Sequence, residues 1–82
     1  MPMTQEQLAD TVRRLAAEQV SVDPDGVTLE TDLFADLNFD SLDVVDFTMK
    51  LEDEFAVTID DERATGVRTV GQAVELLMSL RR

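Results

Sequence analysis

The chain has 82 residues, a formal net charge of −11, and neither cysteine nor histidine. This length predicts a single small domain over residues 1–82. The two missing residue types exclude disulfides, thiolate metal sites, Ser–His triads and cysteine nucleophiles. The only lysine, Lys50, follows Ser41 by nine residues, too far along a helix to form a Ser–Lys pair. The chain is therefore not expected to be an enzyme.

The negative charge is concentrated in the middle of the chain. Residues 21–62 carry fourteen acidic residues against Lys50 alone, a net charge of −13, whereas residues 63–82 have a net charge of +3. Nucleic acid and anionic membrane are not expected as partners, because binding them requires cations. Basic protein patches would complement this surface. The segment Met1–Thr4 lacks the features of a secretory signal, and a cytoplasmic location is expected.

The first half of the chain predicts one helix and a long loop. Apolar residues recur at helical spacing from Thr4 to Val20, and Thr4 has capping-box spacing to Gln7. Residues 21–40 are weakly periodic, and Asp23-Pro24-Asp25-Gly26 marks a turn within them. A short helical turn is predicted near residues 32–35. A loop this long in a small domain is often functional.

The same loop offers a calcium-binding alternative. Counted from Ser21, acidic residues stand at positions 3, 5 and 12 and Gly26 at position 6, as in an EF-hand. However, Ser21 stands where the motif has Asp, Asp32 stands where it has Glu, and no helical pattern begins near Leu29. The match is poor, so no metal site is predicted.

The segment from Ser41 to Phe55 predicts a helix with two apolar stripes on opposite sides. One stripe is wide enough to face a core and consists of Val44, Phe47, Leu51 and Phe55. The other consists of Leu42, Val45 and Met49, bordered by Asp46, Glu52 and Asp53. A helix beside one core needs only one apolar stripe. The second stripe is therefore predicted to meet another molecule.

Two more helices are predicted after an extended connector at residues 56–59. A short helix spans residues 60–64, with Gly66 as its stop signal. The last helix begins at Thr69, which has capping-box spacing to Gln72, and closes with Arg81 and Arg82. The predicted fold is all-α: a small four-helix bundle of three main helices and one short helix, with a long first loop.

Ser41 has two interpretations. A serine before an apolar run suits the N-cap, where its hydroxyl accepts unpaired backbone N–H groups. Asp40 and Asp43 likewise suit the positive end of the helix dipole. Alternatively, Ser41 carries function. Because nothing in the chain can activate its hydroxyl, another protein would then have to act on it.

The motif Asp40-Ser41-Leu42 resembles the attachment motif of the acyl carrier protein family. Leu37 precedes it and the acidic helix Leu42-Asp43-Val44-Val45-Asp46 follows it, and the resemblance extends to Thr69-Val70-Gly71-Gln72-Ala73-Val74. It implies a discrete, type II carrier in which a phosphopantetheinyl transferase attaches 4′-phosphopantetheine to Ser41, beside Asp40 and Leu42. The thiol of this arm would hold acyl groups as thioesters, so the chain needs no cysteine.

The resemblance also implies partners and a surface that recognises them. The partners would be a ketosynthase, an acyltransferase and other acyl-processing enzymes with basic patches, in fatty-acid or polyketide biosynthesis. The recognition surface would be Leu42, Asp43, Val45, Asp46, Met49, Glu52 and Asp53. The opposite stripe would line a core that shelters the acyl chain. A monomer is expected.

Four positions depart from the family pattern. Asn38 stands where Gly is usual, although Asn tolerates left-handed backbone better than most residues. Phe39 replaces a commonly small residue and is predicted to place an aromatic ring beside the arm. Asp60 stands where Pro is common, and Gly66 favours fraying of the short helix.

Two alternative functions stay open. An aminoacyl or peptidyl carrier of a nonribosomal pathway would share the arm but meet different enzymes. A small, acidic, calcium-responsive binding module would use Ser41 only as a cap. Covalent modification of Ser41 would separate both kinds of carrier from the binding module.

Overall fold

The computed structural model describes residues 4–80. Its α-helices are α1 (Gln5–Gln19), α2 (Ser41–Phe55), α3 (Asp61–Thr65) and α4 (Val70–Leu80), and a 3₁₀ helix spans Pro24–Gly26. Within the described residues, extended pairing is limited to one antiparallel bridge between Asp32 and Thr69. The predicted all-α fold, with three long helices, one short helix and a long first loop, is confirmed. No helix in residues 4–80 is both long enough and apolar enough to cross a membrane.

Two helices begin with the capping boxes that their sequences predict. At α1, the Gln7 amide donates to Thr4 Oγ1 at 3.1 Å and the Thr4 amide donates to Gln7 Oε1 at 3.0 Å. At α4, the Gln72 amide donates to Thr69 Oγ1 at 3.1 Å and the Thr69 amide to Gln72 Oε1 at 3.2 Å. Each box satisfies two N–H groups that the first helical turn leaves unpaired. The predictions for residues 1–3 and for Arg81 and Arg82 lie outside the described residues.

The core lies where α1 packs against both α2 and α4. The three long helices bury apolar residues that recur at helical spacing, and the long loop adds three more side chains. The buried apolar residues are Leu8, Val12, Ala16, Ala17, Val27, Leu33, Phe39, Phe47, Leu51, Ile59, Val70, Ala73, Val74 and Leu77. The long loop is therefore part of the core, which restricts how the segment leading to Ser41 can move.

The loop is also tied to the start of α4 by backbone hydrogen bonds. The Leu33 amide donates to the Arg68 carbonyl at 2.8 Å, and the Gly71 amide donates to the Leu29 carbonyl at 2.8 Å. A Cβ atom at Gly71 would lie 2.9 Å from that carbonyl oxygen, closer than side-chain carbons approach. Only glycine therefore fits at position 71 without a shift of the loop.

The structure does not support an EF-hand in this loop. Asp23 Oδ1 accepts from the Asp25 amide at 2.9 Å and caps the 3₁₀ helix, while the Arg13 guanidinium binds the Pro24 and Val27 carbonyls. The carboxylate of Asp32 accepts from Arg68 Nε at 2.9 Å. Within residues 4–80, no three acidic side chains are grouped so that they could hold a metal ion.

Candidate functional site

The residue that caps α2 is Asp40, and the interpretation of Ser41 as the cap is wrong. Asp40 has extended backbone angles, and its Oδ1 accepts from the Asp43 amide at 2.8 Å. In return, Asp43 Oδ2 accepts from the Asp40 amide at 3.1 Å. Ser41 is the first helical residue, where the preceding acid has already satisfied the helix end. Its side chain is exposed, and its hydroxyl makes no hydrogen bond within the described part of the chain.

The turn that delivers Ser41 has the left-handed residue anticipated at position 38. Asn38 has φ of 57°, a conformation that Asn adopts at lower cost than most residues. The turn is closed by the Asn38 amide, which donates to the Phe34 carbonyl at 3.1 Å, and by the Phe39 amide, which donates to the Leu33 carbonyl at 2.9 Å. Backbone hydrogen bonds therefore fix the path of the chain two residues before Ser41.

Phe39 does not stand beside the arm position, so that prediction is wrong. Its side chain is only 5% exposed and points into the core, where its ring meets the ring of Phe47 edge to face at 5.6 Å. Such pairs add about 0.5–1.5 kcal/mol to the burial of the rings themselves. Phe39 therefore holds the turn before Ser41 against the core. The surface aromatic ring that lines the groove with Ser41 belongs to Phe34.

A side-chain contact between helices holds the first turn of α2. Gln19, at the end of α1, donates from Nε2 to Asp43 Oδ1 at 3.1 Å, and its Oε1 accepts from Lys50 Nζ at 3.1 Å. The hydrogen bond from the Asp40 amide, together with that from Gln19, holds the pKa of Asp43 below its ordinary value of 3.8. Asp43 is therefore ionised at neutral pH. Its hydrogen bond to Gln19 joins α1 to the capping box of α2.

The two stripes of α2 differ in burial as predicted. Phe47 and Leu51 are buried, and Val44 and Phe55 are half-buried against the same core. On the other side Leu42 is 74% exposed, Val45 53% and Met49 56%. This second stripe remains apolar and open to solvent at the side of the helix next to Ser41.

The predicted acidic residues of the recognition surface divide into two kinds. Asp46 and Asp53 are exposed and form no hydrogen bond or ion pair within residues 4–80. Glu52 is half-buried, and its Oε2 accepts from the Ile59 amide at 2.8 Å, which holds the connector after α2. Both oxygens of Asp43 are likewise occupied. Asp46 and Asp53 therefore present carboxylates that are free to meet a cation from outside.

An open groove of about 560 Å³ lies between α2 and α3, and Ser41 is among the residues that line it. Its walls are mostly apolar, with a few polar groups from both helices. The lining residues are Phe34, Ser41, Val44, Val45, Thr48, Met49, Glu52, Ile59, Asp61, Ala64 and Thr65. Its volume falls within the range of about 300–1,000 Å³ that is common for small-molecule sites.

These features suit a long prosthetic arm attached to Ser41. The hydroxyl is exposed and unengaged within the described residues, so an enzyme can reach it. The same side chain lines the groove, so a chain attached there has an apolar surface within reach. Bound 4′-phosphopantetheine supplies a thiol, the group that this cysteine-free chain lacks.

Six groove residues were given no functional role by the sequence: Phe34, Thr48, Ile59, Asp61, Ala64 and Thr65. Phe34, Thr48 and Thr65 were missed because the loop has no period and threonine on a helix carries no distinctive signal. Their common property, lining one groove with Ser41, depends on how α3 packs beside α2. The sequence did predict α3 itself, from its acidic start and the glycine after it.

Comparison with known proteins agrees with this site. A family model described as the phosphopantetheine attachment site matches residues 10–77. The acyl carrier protein of Petrotoga mobilis is 45% identical over 92% of this chain and 88% of its own length. That of Lactobacillus acidophilus is 39% identical over 94% of this chain and 96% of its own length.

Solved structures give the same result. The acyl carrier protein of Enterococcus faecalis superposes with a TM-score of 0.79 at 37% identity, covering 95% of this chain and 99% of its own. That of Thermotoga maritima gives a TM-score of 0.77 at 33% identity, covering 93% and 88%. The fold and site define a phosphopantetheine-carrying domain. This chain belongs to the acyl carrier protein family, whose cofactor is 4′-phosphopantetheine.

Proposed function

We propose that Ser41 carries 4′-phosphopantetheine and that the chain presents acyl thioesters to the enzymes of a fatty-acid or polyketide pathway. The observation that carries this proposal is the position of Ser41 at the first residue of α2. There Asp40 caps the helix, and the exposed Ser41 side chain lines the groove. A serine that only capped the helix would have its hydroxyl bound to a backbone amide.

The chain holds and presents the cargo, and other proteins perform the chemistry. Ser41 has no histidine or cysteine in the chain to activate it, and Lys50 is bound to Gln19 on the side of α1. A phosphopantetheinyl transferase therefore supplies the groups that activate the hydroxyl in the attachment step. In the loaded carrier, Val44, Thr48, Ile59 and Ala64 would offer apolar cargo on the arm a surface away from water.

Partner enzymes dock on the exposed stripe of α2. Leu42, Val45 and Met49 supply apolar anchors beside Ser41, and Asp46 and Asp53 supply charges for a basic patch. Exposed charges of this kind mainly raise association rates, whereas buried apolar anchors lower dissociation rates. Asp43 and Glu52 act chiefly inside the molecule, through the hydrogen bonds to Gln19 and Ile59. The expected location of the carrier in the cytoplasm stays a prediction.

The test is the intact mass of the protein after incubation with coenzyme A and a broad-specificity phosphopantetheinyl transferase. We expect a gain of one phosphopantetheine unit that Ser41→Ala abolishes. Ser79→Ala, which changes another exposed serine, should leave the gain intact. An unmodified wild-type chain would exclude the carrier function. Loading assays with acyl and aminoacyl donors then separate an acyl carrier from an aminoacyl or peptidyl carrier.

A further inference from the structure

Phe34 is an exposed aromatic residue that the core does not use. Its side chain is 39% exposed, and it is absent from both the buried cluster and the half-buried residues packed on that cluster. Its neighbour Leu33 is only 1% exposed. The turn at residues 33–37 therefore sends one side chain inward and the next one outward. The outward ring lies in the wall of the groove that Ser41 also lines.

The backbone that carries Phe34 is held rigidly. Asp32 Oδ1 accepts from the Phe34 amide at 2.8 Å and from the Ala35 amide at 2.7 Å. Asp32 Oδ2 accepts from Arg68 Nε at 2.9 Å, and Asp36 Oδ2 accepts from the Asp32 amide at 2.8 Å. The hydrogen bonds from Ala35, Arg68 and Phe34 outweigh burial and hold the pKa of Asp32 below 3.8, so these contacts are present at neutral pH. A rigid support lowers the entropy cost of binding at the ring.

The groove has one aromatic wall among the described residues. Phe34 is the only aromatic side chain that lines it, since Phe39, Phe47 and Phe55 belong to the core or pack against it. Ser41 lines the same groove, so any group bound to its hydroxyl begins in the space that Phe34 helps to enclose. The first part of an arm attached there is the part nearest its phosphate.

Resting on the proposed attachment at Ser41, we propose that Phe34 binds the segment of 4′-phosphopantetheine next to the phosphate, with its ring against the geminal dimethyl group. That group is the only branched apolar part of the arm, and it lies one carbon from the phosphate ester. Apolar contact with an aromatic face removes both surfaces from water. The contact orients the arm along the groove, so that the cargo at its far end lies toward Ile59 and Ala64.

The experiment uses the modified protein with a ¹³C-labelled arm and observes the two geminal methyl groups by NMR. In the wild type we expect the methyl protons to shift upfield from their positions in coenzyme A and to show cross-relaxation to a phenylalanine ring. Phe34→Ala and Phe34→Leu should lose both signals. Phe34→Tyr, which keeps the ring, should retain them. Leu29→Ala removes a similarly exposed apolar side chain that does not line this groove, and it should change nothing.

The extent of modification is measured by mass on the same samples, so two kinds of failure are distinguished. Complete modification with methyl resonances identical in wild type and Phe34→Ala would overturn the role of Phe34 and leave the carrier function intact. An upfield shift that persists in Phe34→Leu would also overturn that role, because another ring would then be responsible. A chain that is never modified would overturn the carrier function, and this inference would fall with it.

Discussion

Asp40 and Asp43 bind each other's backbone amides at the start of α2, at 2.8 and 3.1 Å. This reciprocal pair is a capping box with acids at both positions, and it satisfies the helix end without the hydroxyl that lies between them. A serine at the start of a helix can both cap the helix and present a nucleophile. Here Asp40 caps the helix and Ser41 presents the hydroxyl. Variants at positions 40 and 41 should therefore separate them.

Ser41→Ala should abolish modification with almost no change in stability, since the hydroxyl makes no hydrogen bond within residues 4–80. Asp40→Ala removes the cap and should destabilise the protein by about 1 kcal/mol. The measurements are the intact mass after transferase treatment and the melting temperature of each variant. A melting temperature that falls more in Ser41→Ala than in Asp40→Ala would contradict the assignment of the cap.

Leu51 and Met49 lie on opposite sides of α2 and should respond in opposite ways. Leu51 is 3% exposed, so Leu51→Ala should cost about 2–5 kcal/mol through lost burial and a cavity. That is a large part of the about 5–15 kcal/mol that stabilises a typical domain. Met49→Ala should change stability by less than about 0.5 kcal/mol but slow transferase turnover or weaken binding of downstream enzymes. Equal destabilisation with normal turnover would show that both stripes are structural.

Reversing the charge of Asp46 should slow association with basic partners. Asp46→Lys places a cation beside the exposed stripe, and the resulting repulsion should lower the association rate most at low ionic strength. Glu54→Lys is the matched control, because it makes the same charge change at an exposed position of α2 away from that stripe. Stopped-flow binding at two salt concentrations provides the measurement. The prediction fails if both variants slow association equally.

The hydrogen bonds to Asp43 should stabilise the protein above about pH 4 and lose their effect in acid. Because folding lowers the pKa of Asp43 below 3.8, the folded state favours the ionised form. This stabilisation is present above the unfolded value and is lost as the pH falls through the lower folded value.

Asp43→Asn should therefore melt earlier than the wild type at pH 7, and the difference should shrink as the pH falls below 3.8. Gln19→Ala should show part of the same effect, since Gln19 supplies one of the two contacts. Melting curves between pH 2 and pH 7 test this expectation. A difference that stays constant across the range would mean that the side-chain shape, and not the charge, is responsible.

Local signals in the sequence sufficed for the helices and for the caps of α1 and α4, whereas the cap of α2 is Asp40 and not Ser41. Thr4 with Gln7 and Thr69 with Gln72 form capping boxes at the predicted places, because each box joins groups only three residues apart. The two stripes of α2 also followed from spacing alone, because helical geometry fixes which residues share a face. The left-handed turn at Asn38 was visible in the residue type.

Two kinds of feature could be read only from the tertiary structure: the direction of side chains in the loop, and contacts between residues far apart along the chain. Phe39 is buried and Phe34 is the aromatic side chain that lines the groove with Ser41, because an aperiodic loop gives no rule for which side chain enters the core. Asp43 meets Gln19 across 24 residues, and the packing of α1 against α2 creates that contact. Spacing between residues records local geometry, whereas the groove and the contact between Asp43 and Gln19 arise only when separate helices pack together.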